Sequence, residues 1–245
     1  TNVVLGCIAD GEILFTERMA TDSGKTELDY AISLKMVLEL REIKVSEITG
    51  AIIGSVVPPV TSLMREAIRK VTGQEALVVN VDMNIGLEVL MDNPSSVGTD
   101  LIVGAVAGIN RYPVPLILID MGTATTICVV NENKQYIGGM ILPGIGVSMN
   151  SLTSRTAQLP RISLDPPKRL IGKNTVECMQ SGALYGNASC IDGMVDRIEE
   201  ELGQKATVVA TGGLARKIIP LCRHQIELDD ELLLRGLWII YKKNK

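Results

Sequence analysis

A run of apolar residues, Leu116-Ile117-Leu118-Ile119, ends abruptly in Asp120-Met121-Gly122-Thr123-Ala124-Thr125-Thr126, and a second apolar run, Ile127-Cys128-Val129-Val130, follows. Buried strands read as continuous apolar runs of this kind. A turn of Asp, Gly and Thr at a strand end offers backbone N–H groups and hydroxyls that can cradle phosphate. The acid beside them can hold a cation. Two further places carry comparable chemistry. Gly98-Thr99-Asp100 leads into the apolar stretch from Leu101 to Ile109, where Asp100 is either a proton acceptor or an acid favoured by the helix dipole. Thr211-Gly212-Gly213 ends the apolar stretch Thr207–Ala210, where two glycines let backbone approach a ligand closely or simply make a turn.

The elements that position these residues follow an α/β order. Asp10-Gly11 between two apolar runs predicts a hairpin joining strands at its two sides. Apolar residues at Leu28, Ala31, Ile32, Leu34, Val37 and Leu38 predict an amphipathic helix over 26–42. Ala51–Val57 and Ala76–Val81 read as strands, with a helix opened by Pro58-Pro59 between them. Strands are expected at Leu116–Ile119, Ile127–Val130 and Tyr136–Ile141, then a helix from Pro143-Gly144 through Leu152 and a Pro/Lys-rich loop over 161–174. Thr175 is expected to cap a long helix to Leu202. A strand at Thr207–Ala210 and a last helix over 230–242 close the chain. Arg111-Tyr112-Pro113-Val114-Pro115 marks a boundary, giving domains at 1–113 and 114–245. With Thr1 set against Thr123 the two halves run in register, Val4-Leu5 on Thr126-Ile127 and Asp10-Gly11 on Glu132-Asn133. The pattern is a duplicated unit with a cleft between copies, and the chain is expected to start inside its own first phosphate loop.

Composition narrows the classes. The net charge of −4 and the absence of a basic run before Lys242-Lys243 speak against a nucleic-acid partner. Although 46% of the residues are hydrophobic, no apolar stretch approaches the roughly 20 residues of a membrane span. No charged n-region with an apolar core opens the sequence, so a cytoplasmic location with no membrane partner is expected. The five cysteines are scattered, without a C-x-x-C pair, which indicates neither a zinc site nor a disulfide framework. The single histidine, His224, is expected to be structural.

These motifs resemble those of type III pantothenate kinases. The resemblance covers nearly the whole chain. It rests on Asp120–Thr126, Gly138-Gly139-Met140-Ile141-Leu142-Pro143-Gly144, Thr156-Ala157-Gln158-Leu159-Pro160, Gly172-Lys173-Asn174-Thr175 and Thr211-Gly212-Gly213-Leu214-Ala215, in that order. It implies duplicated ribonuclease H-like domains of the actin-like ATPase kind, phosphorylation of pantothenate by ATP at the start of coenzyme A biosynthesis, Mg²⁺ with K⁺ or NH₄⁺ as cofactors, and a homodimer. Position by position, the resemblance makes Asp100 the general base and Asp120 the monovalent-cation ligand. It makes Thr1, Asn2, Val3, Val4, Gly122, Thr123, Gly212 and Gly213 ATP contacts. Met91, Gly98, Thr99, Asp100, Leu101 and Thr175 fall on pantothenate contacts. Two of these depart from the family pattern: Met91 stands where Tyr is usual and Leu101 where Arg is usual. They leave open a kinase for another small hydroxyl compound, or a non-catalytic nucleotide-binding regulator on the same fold.

Overall fold

The computed structural model describes residues 2–22, 24–80 and 82–245. In chain order the elements are β1 (Asn2–Ala9), β2 (Glu12–Ala20), α1 (Glu27–Leu40), β3 (Ala51–Ile53), α2 (Pro58–Thr72), β4 (Ala76–Val78), β5 (Glu88–Val89) and α3 (Thr99–Arg111). Then come β6 (Leu116–Met121), β7 (Ala124–Val130), β8 (Gln135–Pro143), α4 (Ile145–Ser154), α5 (Thr175–Leu202), β9 (Thr207–Thr211), α6 (Ala215–Ile218), β10 (Glu227–Leu228) and α7 (Leu232–Lys243). The chain forms two compact units, the first of Thr1–Leu87, Asn93–Ala107 and Leu233–Lys245, the second of Glu88–Asp92 and Gly108–Leu232. A division at 113/114 does not anticipate that α7 packs into the first unit. It does so through Gly236, where a Cβ would run into the backbone of Val103 on α3.

In the first unit β1 and β2 form the expected antiparallel hairpin. Asp10 and Gly11 both take positive φ, 51° and 89°, which matches the twist of the flanking strands. α1 starts with a capping box: Thr26 N–H donates to Asp29 Oδ2 at 2.8 Å, and Asp29 N–H returns to the Thr26 hydroxyl. Its inward stripe is Tyr30, Ala31, Leu34 and Leu38, the first three packed with Val60, Met64, Ala67 and Ile68 of α2. Leu28 and Ile32, expected inside, are 57% and 51% exposed. α1 is apolar on both sides, and the 3–4 spacing from Tyr30 is the stripe that meets α2. β3 and β4 pair in parallel. β3 stops at Ile53 rather than Val57, because Gly54 turns the chain against Leu237 and the Thr99 methyl, where a Cβ would stand 3.0 and 3.8 Å away. β4 ends at Val78, and Val81 lies outside the described residues.

The second unit holds a six-stranded sheet in the order β10-β9-β6-β7-β8-β5. β6 is its centre, antiparallel to β7 and parallel to β9. Leu116, Ile117 and Ile119 are at most 1% exposed, as a strand covered on both faces must be. α5 covers one face with Leu184, Ala188, Ile191, Val195 and Ile198. It is capped by Asn174, whose Oδ1 accepts from Glu177 N–H at 2.9 Å. Thr175, expected as the cap, is instead the first helical residue and exposed. Asn174 wins because its extended backbone and short amide reach the third N–H. At the far end Gly203 closes α5 in the left-handed conformation, φ 69°. No described helix is long and apolar enough to cross a membrane.

Candidate active site

Asp120 sits in the last turn of β6, with Thr126 of β7 beside it on one side and Thr211 of β9 on the other. Two strand ends therefore deliver their turns to one place. The first is Gly122-Thr123, tightened by Gly122 N–H donating to Ala124 O at 3.0 Å. The second is Gly212-Gly213 after β9, where Gly212 has φ +98°. A Cβ on Gly212 would stand 2.5 Å from Asp120 Oδ1 and 2.6 Å from Met121 N, so only glycine fits. The Asp120 carboxylate thus lies in the concave corner that the absent side chain leaves.

A third glycine, expected as part of the turn into a helix, completes the corner. Gly144 N–H donates to Thr123 O at 3.0 Å, and a Cβ there would run into the carbonyl oxygens of Gly122 and Thr123. It leads directly into α4, so the first turn of a ten-residue helix begins beside the Gly122-Thr123 turn. The signal was present as Pro143-Gly144 after a strand. Below the turn, Thr125 is 5% exposed and its hydroxyl has no hydrogen-bond partner among the described residues. A buried orphan hydroxyl costs about 1–3 kcal/mol, which a bound polar group can relieve. Within the second unit the structure therefore brings the turns of Gly122-Thr123 and Gly212-Gly213 to Asp120. The donor set fits a polyphosphate and a cation: hydroxyls and N–H groups around one carboxylate, with a glycine cradle.

The acceptor residues fall into two places. In the first unit Gly98 O accepts from Ile102 N–H at 3.2 Å and so opens α3. Asp100 is exposed in the first helical turn, with its Oδ1 2.9 Å from Leu101 N. A Cβ on Gly98 would stand 2.5 Å from Asp100 Oδ1, so a side chain there would push the carboxylate aside. Leu101 is half-buried on the next step of the helix. Met91 belongs to the second unit. It follows β5, and its Sδ lies 3.7 Å from a Cβ built on Gly138 of β8. Asn2, Val3 and Val4 lie within β1 rather than in a turn, Val3 packed on the first unit's core. Thr1 lies outside the described residues.

Near Thr175 the α5 terminus is tightly tied. Lys173 N–H donates to Glu177 Oε2 at 3.1 Å, and this hydrogen bond holds the Glu177 carboxyl below its ordinary pKa. Gly172 lies against Cys178, where a Cβ would stand 2.5 Å from its backbone nitrogen.

His224 takes a structural place, as expected. Asp196, Glu199 and His224 group their ligand atoms within 4.8 Å, but each has work already. His224 Nε2 is 2.9 Å from Asp196 Oδ1. Glu199 accepts from Lys205 Nζ at 2.6 Å and from Ala206 N–H at 3.0 Å. Burial alone would raise the Glu199 carboxyl, but Lys205 and the Ala206 N–H outweigh it and hold it below the usual value. Asp192 accepts from the N–H groups of Arg223 and His224. The cluster clamps the 222–226 loop to α5.

Comparison with known proteins gives the same direction. A family model described as type III pantothenate kinase matches residues 1–197. A relative from Bacillus cytotoxicus, named type III pantothenate kinase, is 44% identical over 244 residues, spanning 100% of this chain and 93% of the relative. Among solved structures, the activator of 2-hydroxyisocaproyl-CoA dehydratase from Clostridium difficile with bound ADPNP aligns with a TM-score of 0.54 at 13% identity, over 98% of this chain and 90% of that one. The ethanolamine utilization protein EutJ from Carboxydothermus hydrogenoformans aligns with a TM-score of 0.52 at 14% identity, over 99% and 86%. At that identity the two structures speak for the fold alone, the actin-like ATPase kind. Matched by the family model over most of its length and by a close relative over all of it, the chain belongs to the type III pantothenate kinase family.

Proposed function

We propose that this protein phosphorylates pantothenate with ATP, the entry reaction of coenzyme A biosynthesis, and that the Asp120 corner is its phosphate end. The observation that carries the assignment of the corner is the pairing of Asp120 with a glycine at 212 that no other residue could replace.

The reaction is a displacement at phosphorus. The pantothenate hydroxyl oxygen bonds to the γ-phosphorus, the bond from that phosphorus to the bridging oxygen breaks, and ADP leaves. Asp100 takes the hydroxyl proton as the new bond forms. Its place in the first turn of α3 suits this task, since exposure leaves the carboxylate open to an incoming hydroxyl. The turns at Gly122-Thr123 and Gly212-Gly213 hold ATP through backbone and hydroxyl groups. Asp120 would hold K⁺ or NH₄⁺, with Mg²⁺ brought by the nucleotide, and these cations would offset the charge gathered on the phosphates. The chain's own contribution is positioning and electrostatics, the usual division in phosphoryl transfer.

By the resemblance, Met91 of the second unit and Leu101 of the first each fall on an acceptor contact. Leucine has no fork to hold an anion or amide oxygen, and methionine offers a flexible apolar wall in place of a phenol. Pantothenate is then gripped more by shape than by charge. Thr175 faces the acceptor site of a second copy, and the protein acts as a homodimer. Ile141, Ile171 and Val176, all in the second unit and 75%, 80% and 42% exposed, support such a face.

Asp100→Asn tests the base. Phosphopantothenate formation should fall at least 1000-fold while ATP affinity stays within a few-fold of the parent. Turnover near the parent's would remove Asp100 from the role.

A further inference from the structure

Among the described residues two carboxylates are buried, Glu199 and Asp229. Glu199 fastens α5 to the residues ahead of β9 through Lys205 and Ala206. Asp229, 7% exposed, has no part in the kinase reading so far. A buried carboxylate is costly unless it is paired, and both oxygens of Asp229 are paired. Oδ2 accepts from the Tyr112 hydroxyl at 2.9 Å and lies 3.5 Å from Arg111 Nε. Oδ1 accepts from Glu231 N–H at 3.1 Å, one residue before α7. The Asp229 N–H donates to Ala210 O on β9 at 2.9 Å. Burial and the bond to Asp229 hold the Tyr112 phenol above its ordinary pKa, so it stays a donor.

These bonds join two places that matter to the reaction. Ala210 and Thr211 end β9 and lead into the Gly212-Gly213 turn. Asp230, the next residue along from Asp229, holds the other side of that turn. Its Oδ2 accepts from Arg216 Nε at 2.6 Å, and Arg216 lies on α6, just past the two glycines. Asp229 and Asp230 thus bracket the nucleotide turn. On the other side of Asp229, Arg111 and Tyr112 close α3, with Tyr112 N–H donating to Gly108 O at 2.8 Å. All of these residues belong to the second unit. α3 runs unbroken from Arg111 back to Thr99. Whatever fixes its last turn also fixes the direction in which it carries Asp100, about 17 Å away along the helix.

We infer that Asp229 is a positioning residue for phosphoryl transfer: it ties the helix of the general base to the strand and turn of the nucleotide. The inference rests on Asp100 being that base. A tilt of about 4° at the tied end would move Asp100 by roughly 1 Å. A misplacement of that size, set up far from the chemistry, can cost about 100-fold in rate. The groups that grip ATP and pantothenate are untouched, so the loss falls on kcat and spares KM.

Tyr112→Phe removes one oxygen of the tie and keeps the ring. Its kcat for phosphopantothenate should fall at least tenfold, with the pantothenate KM and the ATP Kd within threefold of the parent. Tyr30→Phe is the control. It deletes an equivalent hydroxyl, bonded to Asp22 O at 2.9 Å in the first unit, and its kcat should stay within twofold. An unchanged kcat in Tyr112→Phe, or an equal fall in the two variants, would overturn the role. Should Tyr112→Phe not fold, Arg111→Gln carries the same test, with kcat down at least threefold at constant KM. Hydrogen exchange read by mass spectrometry, without nucleotide or substrate, examines the tie separately. Amides of residues 110–112 and 211–214 should both exchange at least tenfold faster in Tyr112→Phe. Faster exchange at the end of α3 alone overturns the tie. If the parent forms no phosphopantothenate, the kinase reading falls, and exchange alone decides whether Asp229 couples helix and turn.

Discussion

Asp120 Oδ1 stands 2.5 Å from the point where a Cβ on Gly212 would lie. The carboxylate comes from β6 and the glycine from the turn that follows its parallel neighbour β9, so each sets the space available to the other. Gly212→Ala should therefore strike at stability and binding together. The φ of +98° alone costs an L-residue about 1–3 kcal/mol, and the clash adds to it. The unfolding temperature should fall by roughly 5 °C or more, and ATP affinity by at least tenfold. Gly182→Ala on α5 is the control: nothing lies within 4 Å of its Cβ, so it should stabilise by about 0.5–1 kcal/mol. Equal behaviour of the two variants would contradict the cradle.

Asp120→Asn keeps the size and removes the charge. The concentration of K⁺ giving half-maximal rate should rise at least tenfold, with little change in the pantothenate KM. Unchanged K⁺ dependence would place the monovalent cation elsewhere.

The Glu199–Lys205 pair gives a pH signature. Glu199 is held below its ordinary pKa in the folded state, so its contribution is present above the unfolded value near 4.3 and is lost as pH falls through the folded value. Lys205 is 83% exposed, which screens the pair. Glu199→Gln should cost ~1 kcal/mol at neutral pH, and the gap should close below about pH 4. A gap that persists in acid would assign the loss to packing.

Thiol reactivity should divide the cysteines sharply. Burial, with Asp192 nearby, pushes the Cys222 thiol up to about 12, while Cys178 is exposed. At pH 8 iodoacetamide should modify Cys178 at least 100-fold faster than Cys222, read peptide by peptide. Similar rates would mean that the 222–226 loop leaves α5 readily.

Much of this architecture was legible because single residues commit the backbone. Asp10-Gly11 fixed its hairpin through two positive φ angles, and the apolar run before Asp120 marked a strand buried on both faces. The turn residues of the Asp120 corner were legible for the same reason. What escaped depends on tertiary partners. α1 carries apolar residues on more than one side, so only the position of α2 decides that Tyr30 goes in and Leu28 out. Asn174 and Thr175 are both capping types, and backbone geometry chose the former. β5 and β10 have two residues each, too few to show a period. Pro143-Gly144 announced the turn into α4, but not the contact of Gly144 with Thr123, twenty-one positions away in sequence.

The central claim is the reaction itself. The protein is incubated with ATP, Mg²⁺ and pantothenate in K⁺ or in Na⁺, and the products are weighed by mass spectrometry. Phosphopantothenate formed in K⁺ and much reduced in Na⁺ is the expected result. No phosphopantothenate in either salt, from protein that still binds ATP, would contradict the account and move the acceptor away from pantothenate, with Met91 and Leu101 as the residues to revert first.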